Sequence, residues 1–227
     1  ATIVLEGSAA DGSGPGVGDD VATTTYTYEP NFNQLTSVTD EVGRKTLFTI
    51  DPANGNTLGV TNVVGTLGGN DDRVTSLTYT ATDQIDTSTN DLGQVTQFEY
   101  DSFGRVNKIR NAVGTLKEVS QQFEYDVAGR ATAVTDENGN RTRFEFDVMN
   151  RVTKVTLADG SVSSFAYDLR GNQRSSTNAL GNTESQTYDS LDRTVRQTDA
   201  AGNVTRYAYD MAGNLSSVTD PLNQVVR

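Results

Sequence analysis

Rings and polar residues alternate along much of this chain. In Phe98-Glu99-Tyr100, Phe123-Glu124-Tyr125, Phe144-Glu145-Phe146, Phe165-Ala166-Tyr167 and Tyr207-Ala208-Tyr209, two aromatic side chains flank a residue that a period of two sends to the opposite face. This is the pattern of a half-buried strand. Each pair is followed by a cluster of turn formers, and a second Gly or Asn comes ten residues after the first turn position. Gly, Asn and Asp accept a positive φ, and Asn138-Gly139 and Asp159-Gly160 are dipeptides favoured in two-residue hairpin turns. The pattern therefore predicts tandem antiparallel β-hairpins. Val106 and Ile109, Val152 and Val155, and Leu215 and Val218 lie three apart, which strict alternation forbids, so a bulge is expected after each first turn.

The hairpins recur. Tyr79, Tyr100, Tyr125, Phe146, Tyr167, Tyr188 and Tyr209 are separated by 21, 25, 21, 21, 21 and 21 residues. From Tyr100 onward each ring is followed by Asp101, Asp126, Asp147, Asp168, Asp189 or Asp210. Three residues beyond that come Gly104, Gly129, Asn150, Gly171, Asp192 and Gly213, and then Arg105, Arg130, Arg151, Asn172, Arg193 and Asn214. The second turns carry Gly114, Gly139, Gly160, Gly181, Gly202 and Asn223. Toward the N-terminus the grammar persists with slips, in Tyr26-Thr27-Tyr28 and Phe48-Thr49-Ile50-Asp51-Pro52, and Gly55 to Ser76 reads as an irregular insertion. Residues 1–25 read as an N-terminal strand, Ile3-Val4-Leu5, plus a Gly-rich linker; 26–99 as degenerate repeats; and 100–227 as regular ones. About nine hairpins, or about 18 strands, give a ribbon on the order of 85 Å long at about 4.8 Å per strand. The strand at either end of such a ribbon has a free edge, and Ile3-Val4-Leu5 is a candidate to pair with another copy.

Composition narrows the chemistry. Among 227 residues there is no His, Cys or Trp, so disulfides, thiol nucleophiles, Ser-His-Asp triads and the usual zinc sites are excluded. A net charge of −12 repels phosphate backbones and anionic lipid, which argues against nucleic acid as a partner. No apolar run reaches the roughly 18 residues of a spanning helix, and no leader is read in Ala1 to Gly18. Leu, Ile, Val and Phe are about a fifth of the chain, close to the level of disordered sequences, so a thin, repetitive core is expected.

Four candidate chemistries remain. The repeated Asp could bind calcium, but its plainer role is to accept backbone N–H bonds in its own turn. Arg105, Arg130, Arg151 and Arg193 could form a ligand stripe, whereas their period also sets them beside acids of adjacent hairpins, as a ladder of ion pairs. Stacked tyrosines could hold sugar rings, or serve as the core of the sheet face. Asp71 and Asp72 could be glycosidase acids, though acids are abundant here and pairs are inevitable. The expectation is a protein without catalytic, cofactor or metal residues, in which Tyr100, Asp101, Gly104, Arg105, Tyr125, Asp126, Gly129, Arg130, Gly139, Phe146, Asp147, Tyr167, Asp168, Gly171, Tyr188, Asp189, Tyr209, Asp210 and Gly213 form the structural motif.

The units Tyr125-Asp126-Val127-Ala128-Gly129-Arg130 and Tyr209-Asp210-Met211-Ala212-Gly213-Asn214, each followed by Val-Thr-Asp, closely resemble YD repeats. These are the repeats of RHS proteins, of the shell-forming components of insecticidal toxin complexes, and of teneurins. The resemblance covers roughly Tyr26 to Arg227. It implies an all-β architecture of hairpins forming a coiled sheet, shell or barrel wall, and a structural role at the cell surface or in secretion. The implied partners are other copies of the chain or the rest of a larger shell. Adhesion to glycans or cells, and encapsulation of a toxin, are the alternatives it leaves open. Relatives that release a toxin end their core around Asp-Pro-x-Gly-Leu; Asp220-Pro221-Leu222-Asn223 lies instead at the second turn of an ordinary repeat and is not expected to be cleaved.

Overall fold

The computed structural model describes residues 2–7, 22–69 and 71–227. All the regular structure in them is β. The chain divides into two units, 1–120 and 121–227. In the first, β1 (Thr2–Gly7), β2 (Ala22–Tyr28), β3 (Leu35–Thr39), β4 (Lys45–Ile50), β5 (Thr57–Val63), β6 (Arg73–Tyr79), β7 (Ile85–Thr89), β8 (Val95–Tyr100) and β9 (Val106–Asn111) pair antiparallel, each with the next. The second is headed by β10 (Val119–Tyr125) and continues through β11 (Ala131–Thr135), β12 (Arg141–Phe146), β13 (Val152–Thr156), β14 (Val162–Tyr167), β15 (Gln173–Thr177) and β16 (Thr183–Tyr188). It closes with β17 (Thr194–Thr198), β18 (Val204–Tyr209), β19 (Leu215–Thr219) and β20 (Val225–Val226) in the same meander. The expected insertion is itself a hairpin, β5 with β6, whose extra residues lengthen both strands to seven residues and enlarge the loop between them.

One unit shows how 21 residues are used. The six-residue β12 leads into the turn 147–151, the five-residue β13 follows, and a second turn, 157–161, returns the chain to β14. Across the first turn the register shifts: Glu145 faces Lys154 but Phe146 faces Val152, so Thr153 is the extra residue of a bulge. That residue resets the alternation and sets Val155 opposite Phe144. The same pairing recurs as Phe98 with Ile109, Phe123 with Val134 and Tyr207 with Val218. Aromatic and branched pairs of this kind contribute roughly 0.2–1 kcal/mol each. The bulge expected from the three-residue spacing is present.

The turns differ from the two-residue form expected of Asn-Gly and Asp-Gly. Gly139 N–H donates to the Asp136 carbonyl at 3.0 Å and Asp136 N–H to the Asn140 carbonyl at 2.9 Å, which encloses three residues. Gly139 has φ +83°, while Asn138 has a negative φ. This is a type I turn completed by one left-handed residue, and both edges of the sheet use it.

Burial is slight. Among the described residues the only buried hydrophobic side chain is Ala133, 2% exposed, joined by the polar Ser37 at 8%. The seam rings are half-buried rather than enclosed, because a single sheet layer has no second layer to cover them. The strand read in Ile3-Val4-Leu5 exists, and along one edge it pairs with the chain's own β2, from Thr2 against Thr27 to Gly7 against Ala22. The linker read at Asp11 to Asp20 lies outside the described residues.

A Cβ at Gly139 would meet no atom within 4 Å, so a side chain there is opposed chiefly by the strain of φ +83°. Gly139→Val should lower unfolding free energy by about 1–3 kcal/mol in urea titration, whereas Asn138→Ala should change it by less than about 0.5 kcal/mol.

Candidate functional site

The repeat motif converges on one constellation at each first turn. Asp147 shows it fully. Its Oδ1 accepts the N–H of Met149 at 2.8 Å and of Arg151 at 3.0 Å, and its Oδ2 accepts Arg151 Nε at 2.7 Å. Asp101, Asp126 and Asp189 repeat this with Arg105, Arg130 and Arg193. Asp168 and Asp210 use Asn172 and Asn214 in place of the arginine. Both carboxylate oxygens are thus committed within the turn, which is the plainer of the two roles expected for this Asp.

The arginines pair with the Asp of their own turn, not with acids of the adjacent hairpin as their period had suggested. The reason is geometric: a five-residue turn brings residue i+4 back beside residue i. What they send to the next hairpin is the far side of the guanidinium. Arg130 Nη1 donates to the Asp147 carbonyl and to Asn150 Oδ1, each at 3.0 Å, and Arg151 Nη1 donates to the Asp168 carbonyl at 2.8 Å. The guanidinium of Arg151 lies 4.5 Å from the centre of the Tyr167 ring, and that of Arg193 lies 4.4 Å from Tyr209. Arg130 stands over Phe146 at 5.0 Å. Arg105 stands over Phe103 of its own turn at 5.0 Å.

The tyrosines tie back in the opposite direction. Tyr167 Oη donates to the Val152 carbonyl at 2.9 Å, Tyr188 to Gln173 at 2.8 Å and Tyr209 to Thr194 at 2.8 Å. In the first unit Tyr79 reaches Thr57 and Tyr100 reaches Ile85, both at 2.7 Å. The acceptor is the first residue of the strand after the preceding turn, two residues before the register between that strand and the tyrosine's own strand begins. Burial raises the pKa of Tyr100 and Tyr188, with the nearby carboxylates of Asp86 and Asp168 adding to it.

Two features escaped the sequence reading. Where Asn172 replaces the arginine, Arg170 supplies the cation, donating to the Ser190 carbonyl and lying 3.3 Å from Asp192. At three left-handed positions that hold Asp or Asn instead of Gly, the side-chain oxygen accepts a bond from the preceding hairpin: Asn56 to Asp83 at 3.0 Å, Arg130 to Asn150 at 3.0 Å, Asn172 to Asp192 at 2.7 Å. The signal was the departure from Gly itself, at φ +58°, +64° and +61°. Of the suggested acid pair, Asp72 is engaged in its own loop, accepting from Val64 and Gly68 N–H.

The turn carboxylates titrate low. For Asp147 and Asp189 the main cause is the hydrogen bond from the following arginine; for Asp136, Asp199 and Asp210 it is that from the following asparagine. A carboxyl held below its unfolded value stabilises the fold above that value and loses the contribution as pH falls through the folded one. The urea midpoint should hold steady from pH 7 to about 5 and fall below about pH 4. Asp147→Asn should be less stable at pH 7 and flatten that fall. Tyr167→Phe should cost about 0.5–1.5 kcal/mol with the ring retained. Calcium or a chelator should leave the midpoint unmoved, since the Asp oxygens are already occupied.

Comparison with known proteins bears on this seam directly. The crystal structure of TcdB2-TccC3 aligns over 89% of this chain at a TM-score of 0.64 and 18% identity, and a structure of the Photorhabdus luminescens Tc holotoxin pore aligns over 90% at 0.58 and 18%. This chain covers 14% of each of those chains, and the likeness is one of fold. No curated protein matches the sequence. The family model for the RHS repeat matches residues 79–116, 125–162, 150–183 and 188–225, more than half of the chain. Those matches run over the Tyr-Asp turns described above, and the chain belongs to the RHS repeat family.

Proposed function

We propose that this chain is a structural stretch of RHS wall, acting outside the cytoplasm without catalysis, in a shell of the kind that encloses a cargo. The observation that carries this is the use of the motif residues. In β12 to β19, Tyr, Asp and Arg or Asn side chains bind their own turn or the neighbouring hairpin, as a ladder needs and as a catalytic cleft does not. Two further facts support it. Seam rings left half-buried suit a sheet one layer thick, and a chain spanning 14% of the structures it matches is the size of a wall segment, not of a closed shell.

The partner that fits is more wall. β20 pairs with β19 and presents its other edge, where unpaired N–H and C=O groups accept a further strand. Electron micrographs of the purified chain should show assemblies that grow through strand ends, and the double variant Val225→Lys, Val226→Pro should stop that growth. A monodisperse monomer overturns the reading. Glycan adhesion is a second reading, favoured by an open cleft lined by Tyr167, Arg174 and Tyr188. Binding on a glycan array that Tyr188→Ala abolishes would establish it.

A further inference from the structure

The five first turns of the second unit each carry an apolar side chain at the tip. Val127 is 105% exposed, Val148 100%, Leu169 95%, Leu191 69% and Met211 109%, with Met149 beside Val148. The turn does not need them. Its hydrogen bonds come from backbone groups, the Asp and the residue four positions on, and the two tip positions of a type I turn accept most residue types. The opposite edge of the same unit shows what tips look like without that demand: Glu137-Asn138, Ala158-Asp159 and Ala200-Ala201, with Leu only at 180 and 222. Large apolar groups in a continuous exposed row mark an interaction surface.

We propose that this row is a self-association surface, docking antiparallel on the same row of a second copy of this chain. Three observations favour that occupant. First, the tips recur every second strand, at about 9.6 Å, so five rungs run about 40 Å. A second copy has the same interval by construction, and a fit at one rung holds at all five. A partner helix offers one face every seven residues, about 10.5 Å, and slips by about 1 Å per rung. Second, the two tip positions of all five turns hold no carboxylate, although the chain carries −12, so two copies meet here without the repulsion expected elsewhere. Third, covering the tips removes on the order of 600 Å² from each copy, about 1,200 Å² in all, the lower bound of a specific interface. A two-fold arrangement then sets Val127 opposite Met211, Val148 opposite Leu191, and Leu169 opposite itself.

Sedimentation equilibrium on the whole chain tests this. In the Val225→Lys, Val226→Pro background, where growth through strand ends is blocked, the chain should dimerise in the micromolar range. The variant combining Val127→Ser, Val148→Ser, Leu169→Ser, Leu191→Ser and Met211→Ser, checked for fold by circular dichroism, should weaken the dimer at least 100-fold. Because the chain has no cysteine, pairwise geometry can be read by disulfide trapping without background: Val127→Cys mixed with Met211→Cys should cross-link, as should Leu169→Cys with itself. Wild type should add growth through strand ends to the same dimer contact, so a dimer that persists in the strand-end background separates this surface from strand-edge growth. A monomer at 100 μM, equal association of the serine variant, cross-links only between like Val127→Cys copies, or vesicle binding by the tips in place of self-association would each overturn the proposal.

Discussion

A sheet one layer thick must find its stability sideways. Each hairpin here is too small to bury a core of its own, and a lone hairpin is marginal in water. The structure answers by tying hairpins to their neighbours: Arg130 and Arg151 donate to the next turn's carbonyl, Arg130, Arg151 and Arg193 lie over the next ring, and five tyrosine hydroxyls reach back to a backbone carbonyl of the preceding strand. Stability in such an array is a sum of intrinsic and nearest-neighbour terms, as in other repeat proteins. Exposed ion pairs alone contribute little. Here the pairs also aim the arginine, and the aimed arginine is what reaches across.

That logic explains why Asp and Arg stand four apart in the motif and why asparagine replaces the arginine. At Asn172 and Asn214 the amide closes the turn on Asp168 and Asp210 as the guanidinium does elsewhere, but it is too short to lie over the next ring. The chain meets the loss at one of these rungs with Arg170, two residues early, and with Asp192 as an acceptor in the following turn. Position along the strand is thus less important than delivery of a cation to the neighbouring turn.

Much of this was legible in the sequence. Period-two alternation of Phe144, Glu145 and Phe146 fixed the strand and its faces, and the three-residue gap from Val152 to Val155 disclosed the bulge. Asn138-Gly139 misled on turn type, because the dipeptide reports a left-handed residue without saying whether one or two are needed; the acceptor at Asp136 decides it. The partner of each arginine was also misassigned, since sequence spacing does not distinguish contact within a turn from contact across rungs. Paired use of Asn150 and Asp192 was invisible because a polar residue at a glycine position first reads as degeneracy, and its hydrogen-bond donor lies some twenty residues upstream.

The bulge also sets a rule for how such a chain can change in length. Adding or losing 21 residues shifts the ladder by two strands and leaves every remaining rung in phase, whereas an indel of one residue inside a strand would turn all the rings of that strand to the wrong side. The β5–β6 hairpin follows the permitted alternative, its surplus extending the hairpin outward at the tip, in seven-residue strands and the loop at 64–72. Lengthening in this architecture is therefore quantised: whole rungs or loop tips, with little tolerance in between.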